Sequence, residues 1–328
     1  PDGRPIYAAQ DLLDPDCPEV LNAGTFSGNC SSRSGGSGDG DFFLTNSNQT
    51  PDAFTFSTYV NKDWDFEKLD IDMTLGYAYT DAEEVSPLTS SRAISNFENF
   101  STSDFNNPVP ATANSEVEQR FTARVTFDYE WKPEWNTRFT FFGQLNEGRP
   151  FSYTFDTPFG DGNPLSGGNL FGDSDASEDR SLVYVPTGVN DPLISPLSDR
   201  GALQDYLNFI EASGLGEYRG GIAPRNAFQS DWNGKVDLRI QQNIPLPKKF
   251  GDDKLKFIVD IDNFTNLLND EWGIYRQNTF EFNVPIVDAD IDYANNQYII
   301  NSFNAPRAQS RNIGISTWEI QLGARYEF

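Results

Sequence analysis

The acidic stretch from 173 to 179 contains the residues whose spacing comes closest to a metal site. Asp173, Asp175 and Asp179 follow one another at short intervals, and Asp161 lies upstream in the same polar segment. Carboxylate oxygens on a flexible loop are the hard ligands that calcium takes in proteins. The stretch lacks the glycine and the distant glutamate of an EF-hand loop, so a solvated acidic loop is the alternative interpretation. Calcium is the only cofactor that these four aspartates suggest.

The two cysteines, Cys17 and Cys30, flank a short polar stretch. Two thiols cannot complete a structural zinc site, and the chain contains no histidine to add a ligand. We therefore predict a Cys17–Cys30 disulfide, which forms in an oxidising compartment.

The remaining titratable residues are arranged unfavourably for catalysis. Without histidine, neither a Ser-His-Asp nor a Cys-His arrangement is available. Asp70 and Asp72 are two residues apart, a spacing that places both carboxylates on one solvated face of a strand. A glycine-rich phosphate loop followed by lysine is missing as well. We predict that the chain is not an enzyme.

The overall charge excludes one class of partner. With 24 basic and 49 acidic residues, the formal net charge is -25. Nucleic acids require a basic surface, so we predict no nucleic-acid partner. Such a charge either keeps the surface soluble or recruits divalent cations, as a loop facing lipopolysaccharide would.

Long segments of alternating polarity must position all these residues. In the clearest one, Leu69 to Thr80, apolar and polar side chains alternate throughout, which is typical of a strand with two unlike faces. The other alternating segments are Ala53–Val60, Val117–Trp131, Arg138–Asn146, Trp232–Ile244, Leu255–Phe264 and Trp318–Phe328. Short turns at 132–136 and 245–254 join two pairs of these segments into hairpins.

Three long polar connections separate the hairpins, at 81–116, 154–231 and 269–316. In the second, Ser198 to Ser213 has apolar residues at helical spacing and predicts a helix capped by Ser198. In the third, Ile274–Val287 and Gln297–Phe303 predict an additional hairpin. Aromatic residues of the loops either stack on a sugar, peptide or siderophore or pack the loops together: Phe155, Phe159, Phe171 and Tyr184.

The strand pattern favours a membrane protein over a soluble sandwich. The segments are longer than ordinary strands, aromatic residues cluster at their ends, and the connections alternate between short and long. The sequence has no apolar run of 18 residues, so a membrane-spanning helix is excluded. We predict an all-β chain that contributes about seven to nine strands to a transmembrane antiparallel β-barrel, with long extracellular loops.

Several short motifs resemble those of one family. They are Ser90-Ser91-Arg92-Ala93 with Ser95-Asn96, Gly148-Arg149-Pro150-Phe151, Leu182-Val183-Tyr184-Val185-Pro186, Pro224-Arg225-Asn226 before Trp232-Asn233, Asn266-Leu267-Leu268-Asn269 with Trp272-Gly273, and Gly323-Ala324-Arg325-Tyr326-Glu327-Phe328. Their order and spacing resemble the C-terminal part of a TonB-dependent outer-membrane receptor of the Oar-like group.

The resemblance implies a multi-pass protein of the bacterial outer membrane that takes up a scarce nutrient, such as a siderophore, glycan or peptide. Residues 1–328 would be the C-terminal part of a barrel of about 22 strands, without the plug domain. Outer-membrane lipid, lipopolysaccharide, a surface lipoprotein and the TonB complex, reached through a missing N-terminal region, are the implied partners. The barrel-assembly machinery would read a signal in the last strand at Trp318, Ile320, Leu322, Tyr326 and Phe328. A passive porin, an adhesin or a secretion-associated barrel is the alternative.

Overall fold

A computed structural model describes residues 1–5, 45–104, 107–156, 171, 180–247, 253–292 and 294–328. The strands in these residues are β1 Ala53–Asp65, β2 Leu69–Glu84, β3 Ala111–Thr112, β4 Gln119–Lys132, β5 Trp135–Asn146, β6 Pro150–Phe155, β7 Tyr184–Val185, β8 Gly221–Ile222, β9 Phe228–Gln229, β10 Asn233–Pro245, β11 Lys254–Asp262, β12 Arg276–Gln277, β13 Asn283–Asp292, β14 Gln297–Phe303, β15 Ser310–Arg311 and β16 Glu319–Glu327. The helices are α1 Ala93–Glu98, α2 Arg200–Ala212, α3 Phe264–Leu268 and α4 Ile313–Ser316, with a 3₁₀ turn at Leu215–Tyr218. Strands hold 49% of the described residues and helices 12%, which confirms a mostly β fold.

The main sheet is an antiparallel meander of long strands in the order β1-β2-β4-β5-β10-β11-β16, with the short β3 added beside β2. Its long strands run from 9 residues in β11 to 16 in β2. All seven alternating segments therefore form strands that pair with their sequence neighbours. Across the residues described, the pairing order ends at β1 and β16, so the sheet has two free edges.

The connections alternate between short and long, as predicted. The shortest joins β4 to β5 through Pro133 and Glu134. Proline favours the second position of a β-turn, and Glu134 adopts a left-handed φ of 70° that a type II turn requires at the third. The short turns lie at one end of the sheet, and the three long connections leave from the other.

The long connections fold into a compact unit of their own, which we call the loop body: β6, β7, β8, β9, β13, β14 and α2. Its sheet has the order β14-β13-β6-β9, in which β6 and β13 are parallel. Its core is aromatic and aliphatic, and α2 contributes Leu203, Tyr206, Leu207 and Ile210 to it. Buried apolar residues are thus concentrated in the loop body rather than in the main sheet.

Two predictions for the loops need correction. The helix forms, but Asp199 caps it by accepting a hydrogen bond from the Ala202 amide at 2.8 Å. Ser198 instead accepts from the Ile300 amide at 3.0 Å, which ties the helix to β14. The extra hairpin also forms, but its first strand begins at Asn283 because Arg276 and Gln277 pair with β15 instead.

The extra hairpin also settles the number of long strands in the main sheet. Because β13 pairs with β6 and β14, the hairpin belongs to the loop body. The main sheet therefore keeps seven long strands, the lower end of the predicted range. None of the described helices is long and apolar enough to cross a membrane.

Candidate functional site

The main sheet has two chemically opposite faces, and the strand register builds both. Directly paired residues point to the same side of an antiparallel sheet. One row across the sheet pairs Met73 with Val125, Val125 with Phe141, and Phe141 with Leu238. The row continues through Ile261 to Ile320 on β16. We call this side the apolar face.

Much of the apolar face is uncovered. The exposed side chains on it are Phe54, Phe56, Val60, Leu75, Phe121, Leu145, Phe257, Ile320, Leu322 and Tyr326. Leu322 is 76% exposed. A continuous apolar surface of this extent is rare on a soluble monomer and marks a surface that contacts protein or lipid.

Aromatic side chains form two belts on the apolar face. Near the long connections, Tyr77 and Phe121 have ring centroids 4.9 Å apart, and Phe121 lies 6.2 Å from Trp232. Near the short turns, Tyr129 and Trp131 meet edge-on at 4.7 Å. Between the belts lie aliphatic residues such as Val125 and Leu238, together with the rings of Phe127 and Phe141.

The opposite side is a polar face crossed by ion pairs. Arg138 Nε lies 2.9 Å from an Asp128 oxygen, and Arg239 donates to both oxygens of Asp260. Both pairs join directly opposed residues of neighbouring strands. Exposed pairs of this kind contribute roughly 0–1 kcal/mol each in water. These charged side chains suit the polar face to contact with water, whereas the row across the apolar face has no such groups.

A small cleft opens on the polar side beside the long connections. Lys235 lies in it, and its Nζ is 2.6 Å from Asp262 and 3.3 Å from Asp237. The cleft encloses about 110 Å³ and is lined by Gln144, Asn146, Asn233, Gly234, Lys235, Gly273, Ile274, Tyr275 and Ile315. Binding pockets for organic ligands usually hold about 300–1,000 Å³. The cleft therefore suits a few waters rather than a nutrient molecule.

The last strand places the predicted assembly residues at the sheet edge. Ile320, Leu322 and Tyr326 lie on the apolar face opposite Ile261, Val259 and Leu255. Trp318 precedes β16 directly, and Phe328 follows it with its ring stacked 5.9 Å from that of Tyr326. The alternation is confirmed, and recognition by an assembly machinery stays a prediction.

The loop aromatics do not form an open ligand surface. Phe155 and Phe171 are 1% exposed and Tyr184 is 4% exposed, because all three rings pack in the core of the loop body. The ligand-stacking interpretation is therefore wrong for these three residues, and the loop-packing alternative is confirmed. Phe159 lies outside the described residues.

The predicted calcium and disulfide residues also fall outside the described ranges: Asp161, Asp173, Asp175, Asp179, Cys17 and Cys30. Both predictions therefore stay open. In the part of the chain that is described, no group of three or more Asp, Glu, Cys or His side chains is arranged to hold a metal.

Two buried polar clusters in the loop body escaped the sequence analysis. Asp191 accepts hydrogen bonds from the Thr187 and Leu193 amides at 2.7 and 2.8 Å, and from the Tyr184 hydroxyl at 3.0 Å. Burial raises the pKa of Asp191, but these donors lower it by more, so the net pKa lies below the usual value. The second cluster surrounds Arg4. The Asp191 partners lie within seven residues of it, whereas the Arg4 cluster takes Leu182 and Tyr298 from distant segments.

Arg225, from the motif Pro224-Arg225-Asn226, has a structural role. Its guanidinium donates to the carbonyls of Glu84, the last residue of β2, and of Val85, which follows it. Its Cζ lies 5.4 Å from the Phe100 ring centroid. Burial lowers its pKa to about 10, so it remains charged near neutral pH. Arg225 thus joins the loop body to the main sheet.

Comparisons with protein-family models, with curated proteins and with solved structures yield no match to this chain.

Proposed function

We propose that the chain is the C-terminal part of the β-barrel of a TonB-dependent outer-membrane receptor, which takes up a scarce nutrient by energy-coupled transport. The observation that carries the membrane part of this proposal is the uncovered apolar face with its two aromatic belts. The motif resemblance carries the transport part.

The spacing of the belts fits a bilayer. Ten residues separate Phe121 from Trp131 along β4, which corresponds to roughly 34 Å of extended strand. At the tilt of about 40° usual for barrel strands, this length spans roughly 26 Å, close to the apolar band of about 25 Å in outer-membrane barrels. The zone of aliphatic and phenylalanine side chains between the belts would then face hydrocarbon.

The free sheet edges support a larger barrel. Bare backbone groups in hydrocarbon cost several kcal/mol each, so an open sheet cannot remain unpaired there. Seven long strands are also too few for a receptor of about 22 strands. We therefore propose that further strands of the receptor pair with β1 and β16, and that the polar face lines a wet lumen.

A soluble sandwich accounts less well for this arrangement. In a sandwich, a second sheet covers the apolar face of the first and forms the core with it. Here the sheet β14-β13-β6-β9 packs against α2 in the loop body instead. Leu75, Phe121 and Leu322 of the apolar face stay exposed. The loop body lies at the end of the strands, where the extracellular loops of a barrel gather.

The membrane proposal is tested by mixing the complete gene product with lipid vesicles and centrifuging it in a density gradient. We expect the protein to float with the vesicles and to aggregate when neither detergent nor lipid is present. A monodisperse protein in detergent-free buffer would contradict membrane residence.

The transport proposal needs a separate test. We expect the complete gene product to contain a plug domain and a TonB box, and to be retained by the immobilised periplasmic domain of TonB. If a complete product without these segments still inserts into membranes, the passive porin, adhesin or secretion-associated barrel becomes the better account. Mass spectrometry of small molecules that co-purify with the native receptor would then identify the substrate.

A further inference from the structure

Residues 1–5 insert two side chains, those of Asp2 and Arg4, into the loop body. Gly3 and Pro5 are exposed at the surface, whereas the side chain of Arg4 between them is only 2% exposed. Gly3 has a φ of +91°, a conformation that glycine adopts readily and that turns the chain sharply here. The backbone of the segment therefore lies at the surface, while the Arg4 guanidinium and the Asp2 carboxylate, whose side chain is 5% exposed, are buried in the loop body.

The pocket that receives this guanidinium is an aromatic cage. The Arg4 Cζ lies 4.5 Å from the ring centroid of Phe171 and 5.8 Å from that of Phe155. Tyr298 stacks on Phe155 at 5.5 Å and forms the next wall. Ring faces attract a desolvated cation, and a planar guanidinium also stacks on them. At the bottom, Arg4 Nη1 donates to the Leu182 carbonyl at 2.6 Å.

The charge of Arg4 is balanced within its own segment. Asp2 accepts from Arg4 Nε at 3.0 Å and from Nη2 at 2.7 Å, and it also accepts from the Tyr298 hydroxyl at 2.8 Å. In these contacts, Asp2 and Arg4 meet four neutral groups of the loop body: the Phe155 and Phe171 rings, the Leu182 carbonyl and the Tyr298 hydroxyl. Any segment that brings an arginine together with a neighbouring carboxylate would meet the same partners.

We propose that the loop body contains a binding site for an arginine side chain with an adjacent carboxylate, in which Asp2 and Arg4 act as the resident ligand. None of residues 1–5 is in a strand, so the pair can leave without breaking a sheet. A peptide that carries an arginine with a neighbouring carboxylate is the external ligand that fits this chemistry. The inference does not depend on TonB-dependent transport, because it uses only the loop body.

The test is a titration of the purified complete gene product with the acetylated, amidated peptide Pro-Asp-Gly-Arg-Pro. We expect saturable binding to the D2A/R4A variant, at least tenfold weaker binding to the wild type, and no binding of a control peptide with alanine in place of arginine. Adding Y298F to D2A/R4A should weaken binding, since the hydroxyl that holds the carboxylate is removed. Equal affinity for wild type and D2A/R4A would overturn the proposal, as would the absence of binding to folded D2A/R4A.

If limited proteolysis shows that the loop body of D2A/R4A is unfolded, the milder variant R4K tests the proposal instead. R4K keeps a cation in the cage but lacks the fork that contacts Asp2 and Leu182 together. We expect the peptide to bind R4K at least tenfold more tightly than the wild type, because the resident lysine is easier to displace. Equal affinities for R4K and wild type would show that the cage is only a packing feature.

Discussion

Replacing Leu322 with arginine distinguishes a sheet in lipid from a sheet in water. Leu322 is 76% exposed, and its nearest cross-strand partner on the apolar face is Val259. If this face contacted water, an exposed substitution would change the unfolding free energy by only about ±0.5 kcal/mol. If it faces the middle of a bilayer, arginine costs about 2–4 kcal/mol. A cost of about 2–4 kcal/mol corresponds to roughly 30- to 1,000-fold in the unfolding equilibrium.

Gln321 provides the matched control on the same strand. It lies on the polar face directly opposite Asp260. Q321R therefore adds its charge on a wet surface beside a carboxylate, and we expect a change within about ±0.5 kcal/mol. The assay is reversible guanidinium unfolding of the complete gene product in lipid vesicles, followed by tryptophan fluorescence. Equal destabilisation by L322R and Q321R would refute the assignment of the two faces.

Three further predictions concern the loop body and its junction with the sheet. G148A should reduce the unfolding free energy by about 1–3 kcal/mol, because the added Cβ would clash with the Ser230 carbonyl and lie 2.5 Å from the Asp231 carbonyl oxygen. Gly188 has open space around it, so the control G188A should leave the unfolding free energy unchanged. D191N should cost about 1–3 kcal/mol and increase proteolysis of the loop body, since the donors around the carboxylate lose an ionised acceptor, and unchanged proteolysis would contradict this role. The folded pKa of Asp191 lies below its unfolded value of about 3.9. The stability that the Asp191 carboxylate contributes is therefore complete above the unfolded pKa and is lost as pH falls through the folded pKa. Hydrogen exchange of the loop body should show this acid dependence in the wild type and less of it in D191N.

The sequence was sufficient to locate the main sheet because each strand carries its own signal. Alternation in Leu69–Thr80 and Trp318–Phe328 depends only on neighbouring residues, and short turns such as Pro133-Glu134 fix which strands pair. Alternation also identified the two faces before any register was known. The ends were less well defined: β1 continues to Asp65, beyond the predicted Val60, because residues 61–65 still pair with β2 although most of them are polar.

The sequence predicted α2 and the β13–β14 hairpin. The assembly of these elements into the loop body was not predictable, because the contacts between them are distant in sequence. The parallel pairing of β6 with β13 joins Ser152 to Asn283, and no local pattern announces such a pair. Phe155 and Phe171 were ambiguous for the same reason: an aromatic residue in a polar loop has the same local sequence whether it is buried or exposed. The Arg4 pocket combines Asp2 and Arg4 with Leu182 and Tyr298, which are far away in the sequence, so sequence spacing contained no sign of it.

The central claim is that the apolar face contacts lipid, and bromolipid quenching tests it most directly. Single cysteines would be placed at Leu322 and Gln321 in a C17S/C30S background of the complete gene product and labelled with an environment-sensitive fluorophore in vesicles. We predict strong quenching by lipids brominated on their acyl chains for the label at 322 and little for the label at 321. Equal quenching at both sites, or none at 322, would contradict the claim.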